Sequence, residues 1–235
     1  MAKRDRWLTT EIGGMPVWGM LIAIALVLGG GVWAVTTSLT REASPQSTRT
    51  PWTPPPPDPV ITIIGDSYTA GSNENTGPEW PALITVDADL QVLACGGTGY
   101  VATNDEVCPG TTFVTNAGKI TTDAEVVMFF GSRNDFGRDA SAAFRDAFTL
   151  SRERAPQAEL IVVGPAWTSA DVPESGLVYR DQLQAVAAEF GATWIDPLAA
   201  GWFFDNPELI GSDGVHPTDD GHAYLAALMQ AILGS

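Results

Sequence analysis

Residues 60–67 read VITIIGDS, an apolar run that ends in glycine and is followed at once by Asp66 and Ser67. A short run rich in β-branched residues and bounded by glycine is typical of a buried parallel strand. Ser67 then falls at a strand-to-helix turn, where its hydroxyl can be exposed while its backbone N–H faces a reacting carbonyl. We therefore take Ser67 as a candidate nucleophile, with a helix N-cap serine as the alternative.

Apolar runs of the same kind recur along the chain and alternate with helical patterns. The predicted strands cover residues 60–64, 90–94, 126–130, 160–163 and 193–195. Apolar side chains at helical spacing predict helices over residues 140–154, 179–190 and 219–233. This alternation predicts an α/β fold, a three-layer α/β/α sandwich around a five-stranded parallel sheet. Ser67 follows the first strand, and the further candidate residues described next follow the second and third. In such sheets, sites form at this edge, where the strands end.

The second and third strands are followed by segments that could stabilise a developing negative charge. The sequence ACGGTG follows the second strand, and a glycine turn lets a backbone N–H approach a reacting group closely. We take Gly97 as a candidate donor to an oxyanion, with Gly96, or a plain tight turn, as the alternative. The side-chain amide of Asn134 is a second candidate donor, unless it only closes an Asx turn. Arg133 and Asp135 are predicted to support the Asn134 loop, and an ion pair between them is one option.

Two histidines occur in the chain, so the search for a general base is short. His216 lies in the segment DGVHP, and Asp213, three residues earlier, can bond the far ring nitrogen and fix its orientation. His222 has Asp219 at the same spacing, so spacing alone does not separate the two. We choose His216, because a loop bounded by glycine and proline lets a side chain reach into a cleft. His222 is expected to bond nearby backbone or to fill a packing position.

Together these motifs resemble the SGNH (GDSL-type) hydrolase superfamily, and the likeness spans residues 60–235. Its four blocks correspond, in order, to Gly-Asp-Ser at 65–67, the glycines at 96–99, GSRND at 131–135 and DGVHP at 213–217. The third block has one residue more than the usual G-x-N-D, and Ala94 stands where an asparagine often begins the second. The resemblance implies an SGNH/flavodoxin-like sandwich and a serine esterase that needs no metal or cofactor.

The resemblance also implies a role for each candidate residue. Ser67 is the nucleophile, His216 the base and Asp213 the partner of that base. The Ser67 N–H, the Gly97 N–H and the Asn134 side chain form the oxyanion hole. The implied reaction is hydrolysis of O-acyl esters, above all O-acetyl esters, of a cell-envelope glycan or lipid.

Two other functions remain as alternatives. An O-acyltransferase would use the same triad and pass the acyl group to a sugar hydroxyl instead of water. An inactive envelope-binding module would keep the fold without turnover, although the intact set of catalytic residue types argues against it. Trp80, Trp167 and Trp202 could stack on sugar rings or fill the core, and the core is the default for each.

The N-terminal part of the chain has a different composition from the rest. Residues 15–35 form an apolar stretch without a charged side chain, long enough to cross the ~30 Å hydrocarbon core as a helix, and we predict that they form a single transmembrane anchor. The basic residues before it predict that residues 1–14 are cytoplasmic and that the bulk of the chain lies outside. A cleavable signal peptide is the rival interpretation, and it would leave the domain secreted. Residues 36–59, rich in Pro, Ser and Thr, are predicted to be an extended linker before one domain at residues 60–235.

The net charge limits the classes of binding partner, and the cysteine content bears on disulfide formation and metal binding. The chain has 28 acidic and 12 basic residues, a net charge of −16, which makes nucleic acid and anionic lipid surfaces poor partners. Cys95 and Cys108 are its two cysteines, and outside the cytoplasm a disulfide between them is expected. The bond would close a short loop beside the glycine motif. Two thiols without a nearby histidine do not support a zinc site.

Overall fold

The structure, a computed structural model, describes residues 11–12, 15–16, 58–131 and 133–234. The chain divides into two units, Met1–Pro55 and Pro56–Ser235. In the first unit the described residues form two short antiparallel strands, β1 (Glu11–Ile12) and β2 (Met15–Pro16). Apart from these strands and residues 58–59, the predicted cytoplasmic segment, anchor and linker lie outside the described residues and stay predictions. Among the described residues, no helix combines the length and the apolar character needed to span a bilayer.

The second unit is built on a five-stranded parallel sheet, which confirms the predicted sheet. Its strands are β3 (Val60–Gly65), β4 (Asp89–Ala94), β5 (Ala124–Phe130), β6 (Glu159–Val163) and β7 (Thr193–Ile195). They are ordered β4-β3-β5-β6-β7, and every neighbouring pair is parallel. Each predicted strand is present, and four of the five are longer than predicted by one or two residues.

Helices of two length classes lie between the strands and after β7. The helices are α1 (Ser67–Ala70), α2 (Trp80–Leu83), α3 (Phe113–Ala117), α4 (Ser141–Arg154), α5 (Glu174–Glu189), α6 (Pro197–Ala200) and α7 (Asp219–Leu233), with 3₁₀ turns at Arg133–Asp135 and Pro207–Leu209. The predictions for α4 and α7 hold to within one residue. The predicted start of α5 at residue 179 is wrong, because the helix begins directly after the extended Pro173 and its first turn carries no apolar stripe. The four short helices were not predicted, since four or five residues show no periodic pattern.

Two hydrophobic cores lie on opposite faces of the sheet, as the three-layer prediction requires. Neighbouring strand residues point to opposite faces, so Phe129 belongs to one core and Phe130 to the other. The first core is filled from α3, α4 and α5, with Tyr100, Phe113, Phe144, Phe148, Tyr179 and Leu183. The second is filled from α1, α2, α7 and the segment after α6, with Tyr68, Trp80, Trp202, Phe203, Leu225 and Met229. Trp80 and Trp202 are therefore core residues, the default expectation.

The strand order places the predicted site residues at one crevice. From β3 the chain adds β4 on one side and then crosses to β5 on the other, and such a reversal opens a crevice at the carboxyl ends of the strands. Gly65 is paired with Ala94 on β4 and with Phe130 on β5, so the three strands end level with one another. The segments that carry Ser67, the glycine run and Asn134 therefore leave the sheet at the same place.

Candidate active site

Ser67 is the first residue of α1 and is almost fully buried, with 8% of its surface exposed. The cap of this helix is Asp66, whose carboxylate accepts the backbone N–H of Tyr68 at 2.9 Å. A side chain in place of Gly65 would collide with Thr69, so the tight turn requires glycine here. Since Asp66 supplies the cap, the Ser67 hydroxyl is left for another partner, which removes the N-cap alternative.

A chain of hydrogen bonds links Ser67 to the loop before α7. The Ser67 hydroxyl lies 2.9 Å from Nε2 of His216, and Nδ1 of His216 lies 2.6 Å from the Asp213 carboxylate. Because a carboxylate only accepts, Nδ1 carries the proton and the Nε2 lone pair faces the hydroxyl. The three side chains singled out in the sequence, 149 residues apart at the extremes, are thus in direct contact. This arrangement can take a proton from an attacking hydroxyl.

Asp213 is fixed by more than the histidine. Its second carboxylate oxygen accepts the backbone N–H groups of Val215 at 2.8 Å and His216 at 2.9 Å. Partial burial alone would raise the pKa of Asp213, but the hydrogen bonds from the His216 ring and from these two N–H groups lower it to about 2. The carboxylate therefore stays ionised at neutral pH and can stabilise a positive charge on the ring.

His222, the competing histidine, is fully buried away from Ser67. Its Nδ1 accepts the backbone N–H of Trp80 at 3.3 Å, and burial lowers the pKa of the ring. Asp219 accepts the backbone N–H groups of Thr76 at 2.8 Å and Gly77 at 2.7 Å instead of orienting the ring. The structure thus brings His216, and not His222, to the Ser67 hydroxyl.

The two glycines left open by the sequence both line the cleft beside Ser67. Gly96 packs against the serine, since a Cβ added there would lie 3.6 Å from the Ser67 Cβ. Gly97 has a φ of +77°, a conformation that favours glycine, and its α-carbon faces the side chain of Asn104. The Asn104 amide in turn donates to the Gly96 carbonyl at 2.9 Å and holds the turn.

Asp135 stabilises the backbone that directly follows the glycine turn. Its buried carboxylate accepts three consecutive backbone N–H groups, from Tyr100 at 2.7 Å, Val101 at 3.2 Å and Ala102 at 2.7 Å. The sequence predicts that Asp135 supports the loop of Asn134. In the structure, Asp135 instead bonds the backbone of residues 100–102, directly after the glycine turn. The ion pair with Arg133 is not among the salt bridges of the described residues.

Asn134 joins three of the loops at the crevice. Its amide donates to the Thr98 carbonyl at 2.9 Å and lies 3.3 Å from the Asp66 carboxylate. Arg133 before it places its guanidinium 3.9 Å from the centre of the Trp167 ring. Both residues line the same cleft as Ser67 and His216.

The cleft is open and lined mostly by small or polar side chains, and its volume is about 740 Å³. Among its described lining residues Val107 and Val215 are the only branched apolar ones. One wall is the loop closed by the disulfide between Cys95 and Cys108, so the predicted bond is present. No group of three or more potential metal-binding side chains occurs within the described part of the chain.

Comparison with known proteins places these features in context. The model of the GDSL-like Lipase/Acylhydrolase family matches residues 63–224. The GDSL lipase Rv0518 of Mycobacterium tuberculosis H37Rv is 44% identical over 184 residues, which cover 71% of this chain and 78% of that protein.

Two solved structures share the fold at low identity. A family two carbohydrate esterase from Clostridium thermocellum, solved with cellohexaose, has a TM-score of 0.59 at 18% identity, and the match covers 77% of this chain and 66% of that one. A GDSL-like lipase described as putative, from Parabacteroides merdae, has a TM-score of 0.53 at 16% identity over 76% of this chain and 96% of that one.

Proposed function

The chain belongs to the GDSL-like lipase/acylhydrolase family and is an ester hydrolase, and we propose that Ser67, His216 and Asp213 carry out its reaction. The observation that supports this most directly is the unbroken hydrogen-bond chain from the serine hydroxyl through the imidazole to the carboxylate. These residues lie within the segment that the family model matches.

The mechanism follows from the two distances at His216. Nε2 accepts the proton of Ser67 as Oγ attacks the ester carbonyl carbon, and Asp213 stabilises the imidazolium that forms. The imidazolium then gives this proton to the leaving alcohol oxygen, and an acyl-serine ester remains. Water, deprotonated by the same nitrogen, attacks the acyl carbon. The carboxylic acid leaves and Ser67 takes back its proton.

The oxyanion of each tetrahedral intermediate is assigned to the Ser67 N–H, the Gly97 N–H and the Asn134 amide, with Gly96 as the alternative to Gly97. Donors fixed before the reaction stabilise developing charge best. The support for this assignment is that both glycines and Asn134 line the cleft at Ser67. The Asn134 amide, which bonds the Thr98 carbonyl and the Asp66 carboxylate, must exchange one of these bonds for the oxyanion.

We assign O-acyl esters, above all O-acetyl esters, of an envelope glycan as the substrate, with a lipid ester as the less supported choice. A volume of about 740 Å³ lies in the usual range of ligand sites. The polar and small lining suits a hydrated sugar better than a long acyl chain. The Clostridium carbohydrate esterase is similar to this chain in fold only, so its substrate is no argument for the substrate class here. The support comes from the volume and the lining of the cleft.

Hydrolysis is favoured over acyl transfer by the exposure of the site. The side chain of His216 is 27% exposed and that of Asp213 is 35% exposed, so water can reach the acyl-enzyme. With an added sugar acceptor, we expect free acid to remain the main product. Diversion of most of the acyl group to the acceptor would identify a transferase.

The catalytic test replaces Ser67 by alanine and measures turnover of an activated acetyl ester. Ser67→Ala is expected to lower kcat roughly a thousandfold or more. Ser175→Ala, an exposed serine on α5, is the matched control and should keep full activity. Undiminished turnover by Ser67→Ala would remove the nucleophile and, with it, the mechanism.

We place the domain outside the cytoplasm, held by an anchor at residues 15–35 and a linker at residues 36–59, or secreted if the N-terminal segment is cleaved. The disulfide beside the cleft suits an oxidising compartment. Protease added to intact spheroplasts should digest an anchored domain, and a secreted domain should appear in the medium. A domain that is protected until the cells are lysed would contradict this location.

A further inference from the structure

Tyr68 joins the two halves of the catalytic machinery at a second point. It follows Ser67 in α1, and its hydroxyl donates to the Val215 carbonyl at 2.6 Å across 147 residues of sequence. Val215 in turn precedes His216. Ser67 therefore contacts His216, and its neighbour Tyr68 contacts Val215. Only the contact between Ser67 and His216 takes part in the proposed reaction.

The loop that carries His216 is held by hydrogen bonds more than by burial. They include the bonds from Ser212 to the Glu74 carboxylate and from the Gly211 N–H to the His216 carbonyl. The loop residues Ser212, Asp213 and Gly214 are exposed. Asp213 holds the N–H of Val215, and Tyr68 holds the carbonyl of the same residue, so Val215 is bonded at both ends. Of these two partners of Val215, only the Tyr68 hydroxyl comes from α1, the helix that also carries Ser67.

Tyr68 is suited to act as a permanent donor. Its side chain is 3% exposed and packs edge-on against Phe130 and Phe203, with ring centres 6.1 Å and 5.8 Å away. Burial raises the pKa of Tyr68 to about 12, although the nearby Arg133 guanidinium pulls it down. The phenol thus keeps its proton across the working range of pH and exchanges none with the substrate.

We propose that Tyr68 is a positioning residue that sets the distance between the His216 ring and the Ser67 hydroxyl through the Val215 carbonyl. The proposal rests on the function assigned above. Without the hydroxyl, the Val215 carbonyl loses its donor, and the peptide between Val215 and His216 is held only from the Asp213 side. The imidazole then spends less time within reach of the serine, and the chemical step slows while substrate binding is unchanged.

The test compares full-length wild type with Tyr68→Phe, which removes only the hydroxyl. The lost hydroxyl donates to the Val215 carbonyl and faces the Arg133 guanidinium. Its removal is expected to lower kcat for an activated acetyl ester roughly tenfold, with KM within about twofold. Labelling of Ser67 by an organophosphonate should slow by the same factor. Each rate is divided by the concentration of folded protein, which thermal unfolding measures. The ring contacts with Phe130 and Phe203 remain in the variant.

Tyr224→Phe is the matched control. Tyr224 packs edge-on against the same Phe203 ring, 5.8 Å between centres, but does not line the cleft. This variant should match wild type in kcat and in labelling rate. A further variant with 4-aminophenylalanine in place of Tyr68 restores an N–H donor and should recover most of the lost kcat, which a purely structural role would not predict.

Three results would overturn the positioning role: wild-type kcat in Tyr68→Phe, a loss confined to KM, or no recovery with the amine. Failure of the proposed function is a separate outcome. It would appear as equal turnover by Ser67→Ala and wild type, whatever Tyr68→Phe does.

Discussion

At the scale of single residues, the orientation of the His216 ring depends on the hydrogen bonds of Asp213. Asp213 accepts from the His216 ring and from two backbone N–H groups, and these bonds hold its pKa at about 2. The depressed pKa means that the stabilising contribution of this carboxylate is present above its ordinary value of 3.8 and is lost as the pH falls toward 2. Any loss of activity in mildly acidic solution must therefore come from another group.

Replacing Asp213 by asparagine should disable the base while leaving the fold intact. The amide can donate to Nδ1, so the ring takes the tautomer whose Nε2 carries the proton and cannot accept from Ser67. We expect kcat for an activated acetyl ester to fall roughly 10³- to 10⁴-fold with little change in KM. Asp220→Asn, an exposed residue on α7, is the control. Equal activity in Asp213→Asn and the control would contradict this role.

His222 should make stability, and not catalysis, depend on pH. Burial lowers its pKa from 6.5, so the unfolded chain binds a proton more readily than the folded one below pH 6.5. Its contribution is fully present above pH 6.5 and is lost as the pH falls through the lower, folded value. The fall in Tm from pH 7.5 to 5.5 is expected to be smaller for His222→Gln than for wild type. Identical falls, or loss of turnover at pH 7.5 in the folded variant, would count against this assignment.

At the scale of elements, the glycine-rich loop is held from several sides. Asp135 accepts three backbone N–H groups from it, Asn104 bonds its Gly96 carbonyl, and the disulfide closes it. A buried carboxylate that satisfies consecutive N–H groups leaves the loop little freedom, because each bond lost would leave a buried donor unpaired. The glycine turn at Gly96 and Gly97 is thereby fixed before substrate arrives.

Removal of the disulfide should therefore cost both stability and rate. The bond joins cysteines 13 residues apart, and closing a loop of this length is worth about 3 kcal/mol. The paired variant Cys95→Ser/Cys108→Ser is expected to unfold at lower temperature and to lose kcat, since the wall beside Gly96 loosens. Wild type with a reductant serves as the matched comparison and should behave in the same way. About 3 kcal/mol corresponds to a fall in Tm of roughly 6–12 °C for a domain of this size. A Tm equal to that of oxidised wild type would show that the bond does not constrain the loop.

At the scale of the whole molecule, the sheet and the site were largely predictable and their supports were not. Four strands are rich in β-branched or aromatic residues, and β4 consists mainly of leucine, valine and alanine. Ser67, Asp213 and His216 occur in recognisable short motifs. The short helix α3 begins at a capping box formed by Thr112 and Thr115. The first turn of α5 buries Gly176 against Phe136, and periodicity captures neither feature. The bond from Tyr68 to Val215 joins positions 147 residues apart, and no local pattern announces it.

The net charge of the chain should influence which substrates arrive. A charge of −16 attracts cationic molecules and repels anionic ones, and salt screens both effects. For matched activated esters, we expect kcat/KM of a cationic ester to fall about threefold from low to physiological salt. A neutral ester of the same leaving group should show no such change. A salt response that is equal for both esters would rule out electrostatic steering.

The account as a whole depends on an imidazole making the Ser67 hydroxyl reactive. The most direct measurement is the site and rate of covalent labelling by an organophosphonate, followed by peptide mass spectrometry. We predict an adduct on Ser67 in wild type and in His222→Gln, and labelling at least roughly a hundredfold slower in His216→Gln. An adduct on a different residue, or an unchanged rate in His216→Gln, would contradict the account.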